Sequence, residues 1–98
     1  MISLVLKNGK IYEYHGEVCT AFYGSGFSAI DYDGKIVIAL DKTGVIHEFR
    51  DRVEVKKYGR DLVSLHIQDG KVFGIDGSGF THVFVNGIET SFYKREHW

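Results

Sequence analysis

The sequence has 98 residues, 44% of them hydrophobic, which suits one small domain with an apolar core. Its formal net charge of -1 at pH 7 makes broad nucleic-acid binding an unfavoured function. The single cysteine, Cys19, excludes an intrachain disulfide framework, and apolar runs of about five residues exclude a helical membrane span.

The first predicted strands flank a short turn near the beginning of the chain. Residues 2–6 form an almost unbroken apolar run, and residues 10–14 form a second strand after the turn at Asn8-Gly9. An apolar run of this kind is typical of a strand that is buried on both faces. We therefore expect residues 2–6 to lie inside the protein.

The middle of the chain carries a complete unit of four predicted strands. They cover residues 27–32, 36–40, 45–49 and 53–57, with turns at Asp33-Gly34 and from Asp41 to Gly44. Residues 36–40 are apolar throughout, whereas residues 53–57 alternate with charged residues, as a strand at a sheet edge does. The third unit repeats this order with strands at residues 63–67, 72–75 and 80–85.

The units recur with a fixed period. Gly9, Gly44 and Gly79 are each 35 residues apart. The same spacing superposes further apolar and aromatic residues: Tyr14, Phe49 and Phe84; Val18, Val53 and Ile88; Tyr23, Tyr58 and Tyr93. We predict one domain of three repeats, approximately residues 1–26, 27–61 and 62–98, in which the first repeat lacks its leading strand.

A four-stranded meander that is most buried on one side and most polar on the other resembles a blade of a β-propeller. The period is shorter than that of WD40 repeats, and their Gly-His and Trp-Asp signature is absent, so the resemblance carries no WD40 function. The organisation is similar to that of small lectins whose short chains assemble into a complete propeller. The resemblance implies an all-β fold of three meander repeats.

Three blades are too few to close a ring, because propellers usually have about four to eight. Two copies would give six, so we predict half of an oligomeric six-bladed β-propeller and a homodimer. Trp98, which aligns with Val63, is predicted to pack onto the incomplete first repeat of the partner. The alternative fold is a β-trefoil, which also has three units of four strands and closes as a monomer.

The repeated polar residues of the strands have structural explanations. His47 and His82 occupy equivalent positions, and we expect both to be buried and hydrogen-bonded rather than to bind metal, since the histidines lack a ligand spacing. Asp41 and Asp76 are predicted to cap their own turns. No catalytic group, metal or cofactor is predicted, and we expect a protein that is not an enzyme.

The predicted ligand-binding residues are Tyr58, Arg60, Tyr93 and Arg95. A repeated tyrosine with an arginine two residues later offers an aromatic surface beside a planar cation, which suits a small anionic or aromatic ligand. The alternative is a structural tyrosine packed at the blade edge beside a solvated arginine.

These features favour a non-enzymatic recognition or inhibitor-type protein that binds a macromolecular partner through a self-assembled propeller face. The alternative function is a small-ligand sequestering protein or lectin with repeated pockets between blades. With neither a signal peptide nor a membrane span visible, we expect a cytoplasmic protein without a membrane partner.

Overall fold

The computed structural model describes residues 2–94, all of whose regular elements are β-strands. The predicted roles of Arg95 and Trp98 lie outside the described residues. The eleven strands are β1 (Ile2–Lys7), β2 (Lys10–His15), β3 (Val18–Tyr23), β4 (Phe27–Tyr32), β5 (Val37–Asp41), β6 (Ile46–Arg50), β7 (Val53–Tyr58), β8 (Leu62–Gln68), β9 (Lys71–Asp76), β10 (Phe80–Val85) and β11 (Ile88–Lys94).

The strands form three antiparallel meanders in chain order. The first sheet contains β1, β2 and β3, the second contains β4 to β7, and the third contains β8 to β11. The all-β class and the three repeated sheets are therefore confirmed. In residues 2–94, the first sheet has no strand corresponding to β4 and β8, as predicted for the first repeat.

Aspartates form the tight turns between the second and third strands of the complete sheets. Asp41 Oδ1 accepts hydrogen bonds from the amides of Thr43 and Val45 at 2.9 and 3.1 Å. Asp76 Oδ1 accepts equivalent bonds from Ser78 and Phe80 at 2.9 and 3.0 Å. Side chains that replace missing backbone partners in this way fix a turn, which confirms the predicted caps.

The hydrophobic core consists of two layers, one on each side of the second sheet. The layer against the first sheet contains Ile11, Phe27, Val37, Ala39 and Phe49. The layer against the third sheet contains Ile36, Ile38, Leu40, Ile46, Tyr58, Leu62, Ile67, Val72 and Phe84. Two separate layers between stacked sheets fit propeller blades, and they do not fit the trefoil alternative, whose strands would enclose one core.

The prediction that every apolar run is buried on both faces holds for the second sheet only. All four residues from Val37 to Leu40 are buried, but Ile2 is 36% exposed and Val5 is 46% exposed. The prediction for residues 2–6 was wrong for this chain because each outer sheet has a neighbour on one face only. Burial of such a run depends on the sheets around it as well as on its own sequence.

Polar contacts also join the second and third sheets. Asp31 Oδ2 accepts a hydrogen bond from the Ile67 amide at 2.8 Å, and Asp33 Oδ2 accepts one from the Gly70 amide at 3.0 Å. At the other end of the strands, the Leu62 amide donates to the Gly44 carbonyl at 3.2 Å. The Phe27 amide makes the same bond to Gly9 at 3.1 Å. These bonds fix the position of each sheet against the preceding one.

Candidate functional site

Tyr58 does not form the exposed aromatic surface that the sequence predicted. Its side chain is 9% exposed, and its ring lies 5.0 Å from that of Phe84 between the second and third sheets. The hydroxyl donates a hydrogen bond to Glu48 Oε1 at 2.9 Å. Burial and the Glu48 carboxylate both raise the pKa of Tyr58. The residue is therefore part of the core, as in the structural alternative for this tyrosine.

Two further predicted ligand-binding residues, Arg60 and Tyr93, lie among the described residues, and they line different cavities. Arg60 is exposed and lines a cleft of about 550 Å³ between the second and third sheets. Tyr93 is 47% exposed and lines a smaller hollow of about 290 Å³, near Thr81 and Phe73. The structure does not bring Arg60 and Tyr93 together, and their ligand-binding role stays a prediction.

The Arg60 cleft contains a histidine held between two carboxylates. His82 Nε2 lies 2.9 Å from Asp76 Oδ2, and Nδ1 lies 3.2 Å from Glu89 Oε1. The second contact is an ion pair whose geometry makes no hydrogen bond, so Nδ1 is buried without a hydrogen-bond partner. His82 thus connects the Asp76 turn to the last strand of its sheet.

The same arrangement recurs in the second sheet. His47 Nε2 lies 2.7 Å from Asp41 Oδ2, and its Nδ1 lies 2.7 Å from Glu54 Oε1. Both histidines are hydrogen-bonded as predicted, but they are half-buried rather than fully buried. Within the described part of the chain, no group of three His, Cys, Asp or Glu side chains has a geometry that could hold a metal ion.

The carboxylates around His82 change its titration. The hydrogen bond to Asp76 raises the pKa of His82, burial opposes this effect, and Glu89 adds to it. In turn, the hydrogen bond from His82 and the amides of Phe80 and Ser78 lower the pKa of Asp76. The protonated histidine and the ionised aspartate therefore stabilise each other.

This pair predicts a pH-dependent part of the stability. A raised histidine pKa contributes stability that is fully present below the ordinary value of 6.5 and is lost as pH rises through the folded-state pKa. We expect the melting temperature to fall as pH rises from about 6 to 8, and we expect this fall to be smaller in His82→Gln. The control is His15→Gln, because His15 is exposed and lies 3.8 Å from its nearest carboxylate. Equal pH profiles for the two variants would contradict the assignment.

A larger cleft of about 620 Å³ lies between the first and second sheets, and no local pattern in the sequence indicates it. Its lining includes Glu13, Tyr23, Tyr32, Lys35, Arg50 and Arg52. We call it the Arg50 cleft. Arg52 Nη2 lies 2.7 Å from Glu13 Oε2 across the junction, although the two residues are 39 apart in the chain. The Arg52 contact lowers the pKa of the buried Glu13, although burial raises it.

Arg52 has a backbone conformation that is uncommon for a residue with a side chain. The turn before β7 has Asp51 at φ 51° and Arg52 at φ 70°, while the equivalent turn of the third sheet has Asn86 and Gly87 at 54° and 78°. The left-handed region costs a residue with a side chain about 1 to 2 kcal/mol, and glycine avoids this cost. The signal in the sequence was therefore an arginine at a position where another repeat has glycine.

The described residues contain no helix that could cross a membrane. Neither a protein-family model nor a curated protein matches the sequence. The fold is similar to part of the crystal structure of BamB from Moraxella catarrhalis, with a TM-score of 0.72 over 98% of this chain and 17% sequence identity. The chain spans 35% of the length of BamB, and a likeness at this identity shows the fold alone. The chain is thus an all-β protein whose three sheets have the architecture of part of a β-propeller.

Proposed function

We propose that this protein is a non-enzymatic binding protein that assembles with a second copy into a six-bladed ring and recognises a macromolecular partner through one face of that ring. The observation that carries the proposal is the pair of open faces on the outer sheets. On each open face, the residues occupy repeat positions whose equivalents in the second sheet are buried against a neighbouring sheet of the same chain.

The open face of the third sheet, which points away from the second sheet, comprises Phe73, Ile75, Thr81, Val83 and Tyr93, of which Tyr93 is 47% exposed and Thr81 is 2% exposed. These positions lie 35 residues after Ile38, Leu40, Ile46, Glu48 and Tyr58, and they have the same strand pairing. In the second sheet the five equivalents are buried beneath the third sheet. The hydroxyl Oγ1 of Thr81 is already buried without a hydrogen-bond partner. A covering sheet therefore suits this surface.

The open face of the first sheet comprises Val5, Tyr12, Tyr14 and Phe22. Val5 pairs with Tyr12, whose ring stacks on that of Phe22 with centroids 5.7 Å apart. Val5 and Phe22 are 46% and 62% exposed. Tyr14 lies 35 residues before Phe49, which is buried against the first sheet. One chain thus offers both halves of a junction.

A second copy fits these halves better than an unrelated partner does. The third sheet of one copy would cover the first sheet of the other, and a two-fold axis makes the two contacts equal. Two sets of three blades give six, which is inside the usual range of about four to eight. The contact would continue the pattern of the two junctions inside the chain.

Light scattering on matched variants tests the assembly. Val5→Glu places a charge on the open face, and Val55→Glu places one on β7 at a valine that is also 46% exposed. We expect the wild type and Val55→Glu to have the mass of a dimer, and Val5→Glu to be monomeric because a buried unpaired charge is strongly disfavoured. A monomeric wild type, or a dimeric Val5→Glu, would contradict the proposal.

The proposed partner surface is the rim that carries the capped turns at Asp41 and Asp76. Turns fixed by their own side chains lose little conformational entropy on binding, which favours affinity. The test uses wild type, Val55→Glu and Val5→Glu as baits, followed by reconstitution with the purified partner. We expect the wild type and Val55→Glu to retain a common partner and Val5→Glu to lose it. Equal retention of that partner by Val5→Glu, as a monomer, would contradict recognition by the assembled ring.

A second candidate function is the binding of a small ligand between sheets. It is favoured by the two clefts of about 620 and 550 Å³, because small-molecule sites usually occupy about 300 to 1,000 Å³.

A further inference from the structure

We infer that the Arg50 cleft binds a small phosphate ester that carries a flat ring, the chemistry of a nucleoside monophosphate. The inference is independent of the proposed assembly, and it gives the second candidate function a site and a ligand class. It rests on the charges, the free hydroxyl and the aromatic rings that meet between the first and second sheets.

The charges of the cleft favour an anion. Lys35, Arg50 and Arg52 line the cleft together with two carboxylates, Glu13 and Asp51, so the lining residues carry one positive charge in excess, although Arg50 is also paired with Glu48 outside the lining. Glu13 is already paired with Arg52 through contacts of 2.7 and 3.4 Å. The cations that this pair leaves for a ligand are Lys35 and Arg50.

The guanidinium of Arg50 has N–H donors that its contact with Glu48 does not use. Its Nε lies 3.4 Å from Glu48 Oε2, and the other oxygen of Glu48 accepts the Tyr58 hydroxyl. The Arg50 side chain is 48% exposed, and a guanidinium has five N–H donors in a fork that matches phosphate oxygens. Arg50 can therefore hold a phosphate without giving up its contact with Glu48.

The two junctions between sheets differ in the partner of their tyrosine hydroxyl, and the hydroxyl of Tyr23 in this cleft is left free among the described residues. At the junction of the second and third sheets, Tyr58 donates to Glu48. At the junction of the first and second sheets the equivalent pair is Tyr23 and Glu13, but Glu13 binds Arg52 instead. Within residues 2–94, neither Glu13 nor any other residue makes a hydrogen bond to the Tyr23 hydroxyl.

Tyr23 stays a hydrogen-bond donor throughout the physiological range. Burial, and after it the Glu13 charge, raise the pKa of Tyr23 to about 12, so the hydroxyl keeps its proton. An anion in the cleft can accept that proton in a hydrogen bond. The Arg52 side chain thus has a consequence for binding, because it pairs with Glu13 and leaves the Tyr23 donor for a ligand.

The rings in the lining suit the flat part of the ligand. Tyr23 and Tyr32 both line the cleft, and aromatic side chains stack on nucleobases with little regard to their identity. The volume of about 620 Å³ is inside the range for small-molecule sites. A phosphate near Lys35 and Arg50 with a ring near the tyrosines would use both halves of the lining.

Isothermal titration calorimetry with adenosine 5′-monophosphate, adenosine and inorganic phosphate tests the inference. We expect the monophosphate to bind at least about tenfold more tightly than either fragment, because it uses both the cations and the rings. No binding of the monophosphate at millimolar concentration, or equal binding of adenosine, would overturn the inference. Light scattering on the same samples reports the assembly separately.

Two matched arginine variants locate the site. Arg50→Ala is expected to weaken monophosphate binding at least about tenfold, whereas Arg60→Ala, in the other cleft, should leave it unchanged. Lys35→Ala provides a second loss variant that keeps the contact between Arg50 and Glu48. Unchanged binding in Arg50→Ala and Lys35→Ala, or a loss confined to Arg60→Ala, would overturn the assignment.

Discussion

The Gly44→Ala variant is expected to lower the free energy of unfolding by about 3 kcal/mol, through strain of about 1 to 2 and crowding of about 1 to 3. Gly44 has φ +86°, and a Cβ at this position would lie 2.4 Å from the Leu62 amide nitrogen and 2.6 Å from that of Asp61. These atoms belong to backbone at the entry to the third sheet, so a rotamer change cannot relieve the contact. Chemical denaturation followed by circular dichroism measures the loss.

The matched control for this prediction is Gly70→Ala. Gly70 has φ +81°, but nothing lies within 4 Å of a Cβ built there. We expect this control to lose only the strain of the left-handed conformation, about 1 to 2 kcal/mol. Equal losses in the two variants would mean that the third sheet does not approach Gly44 as closely as the structure indicates.

The strands were largely predictable because the turns are written in local sequence. The predicted strand at residues 80–85 coincides with β10, and that at residues 27–32 coincides with β4. Asp-Gly turns and aspartate caps act over a few residues, so their effect can be inferred without knowing the tertiary structure. The same applies to the three repeats, since a fixed period requires only comparison of the chain with itself.

The environment of each strand was less predictable because it depends on contacts between sheets. Tyr23, Tyr58 and Tyr93 occupy equivalent positions in the three repeats, and the last two are predicted to bind the same kind of ligand. The structure gives them different surroundings: Tyr58 is buried on Glu48, Tyr93 is exposed, and Tyr23 lies half-buried at the Arg50 cleft. The partners of a repeated residue change even when its position in the repeat does not.

The candidate ligand site was missed for the same reason. Arg50 and Arg52 were visible as part of a basic stretch, which is usually a solvated edge. The contact that makes Arg52 informative joins it to Glu13 in another sheet, and no local pattern indicates a pair 39 residues apart. What the sequence did contain was a non-glycine turn at the position of Asn86-Gly87.

Removing one hydroxyl from the core should be the second large effect on stability. Glu48 is 2% exposed, and its Oε1 accepts the Tyr58 hydroxyl at 2.9 Å, while Arg50 approaches only to 3.4 Å. Tyr58→Phe leaves this buried carboxylate without its short hydrogen bond, which should lower the free energy of unfolding by about 1.5 to 3 kcal/mol. Tyr32→Phe is the control, because its hydroxyl donates to the exposed Gly34 carbonyl and its loss should change stability by less than about 0.5 kcal/mol.

The double variant Glu48→Leu with Tyr58→Phe separates a lost hydrogen bond from a lost packing contact. Replacing both members of a buried polar pair by apolar groups removes the unsatisfied carboxylate, and such replacements are often nearly neutral. We therefore expect the double variant to be within about 1 kcal/mol of the wild type and more stable than Tyr58→Phe. The third repeat already has an apolar residue, Val83, at the position of Glu48. If denaturation shows the double variant to be less stable than Tyr58→Phe, the Glu48 carboxylate contributes more to the free energy of unfolding than its hydrogen bond to Tyr58 does. The contact with Arg50 would then account for the difference.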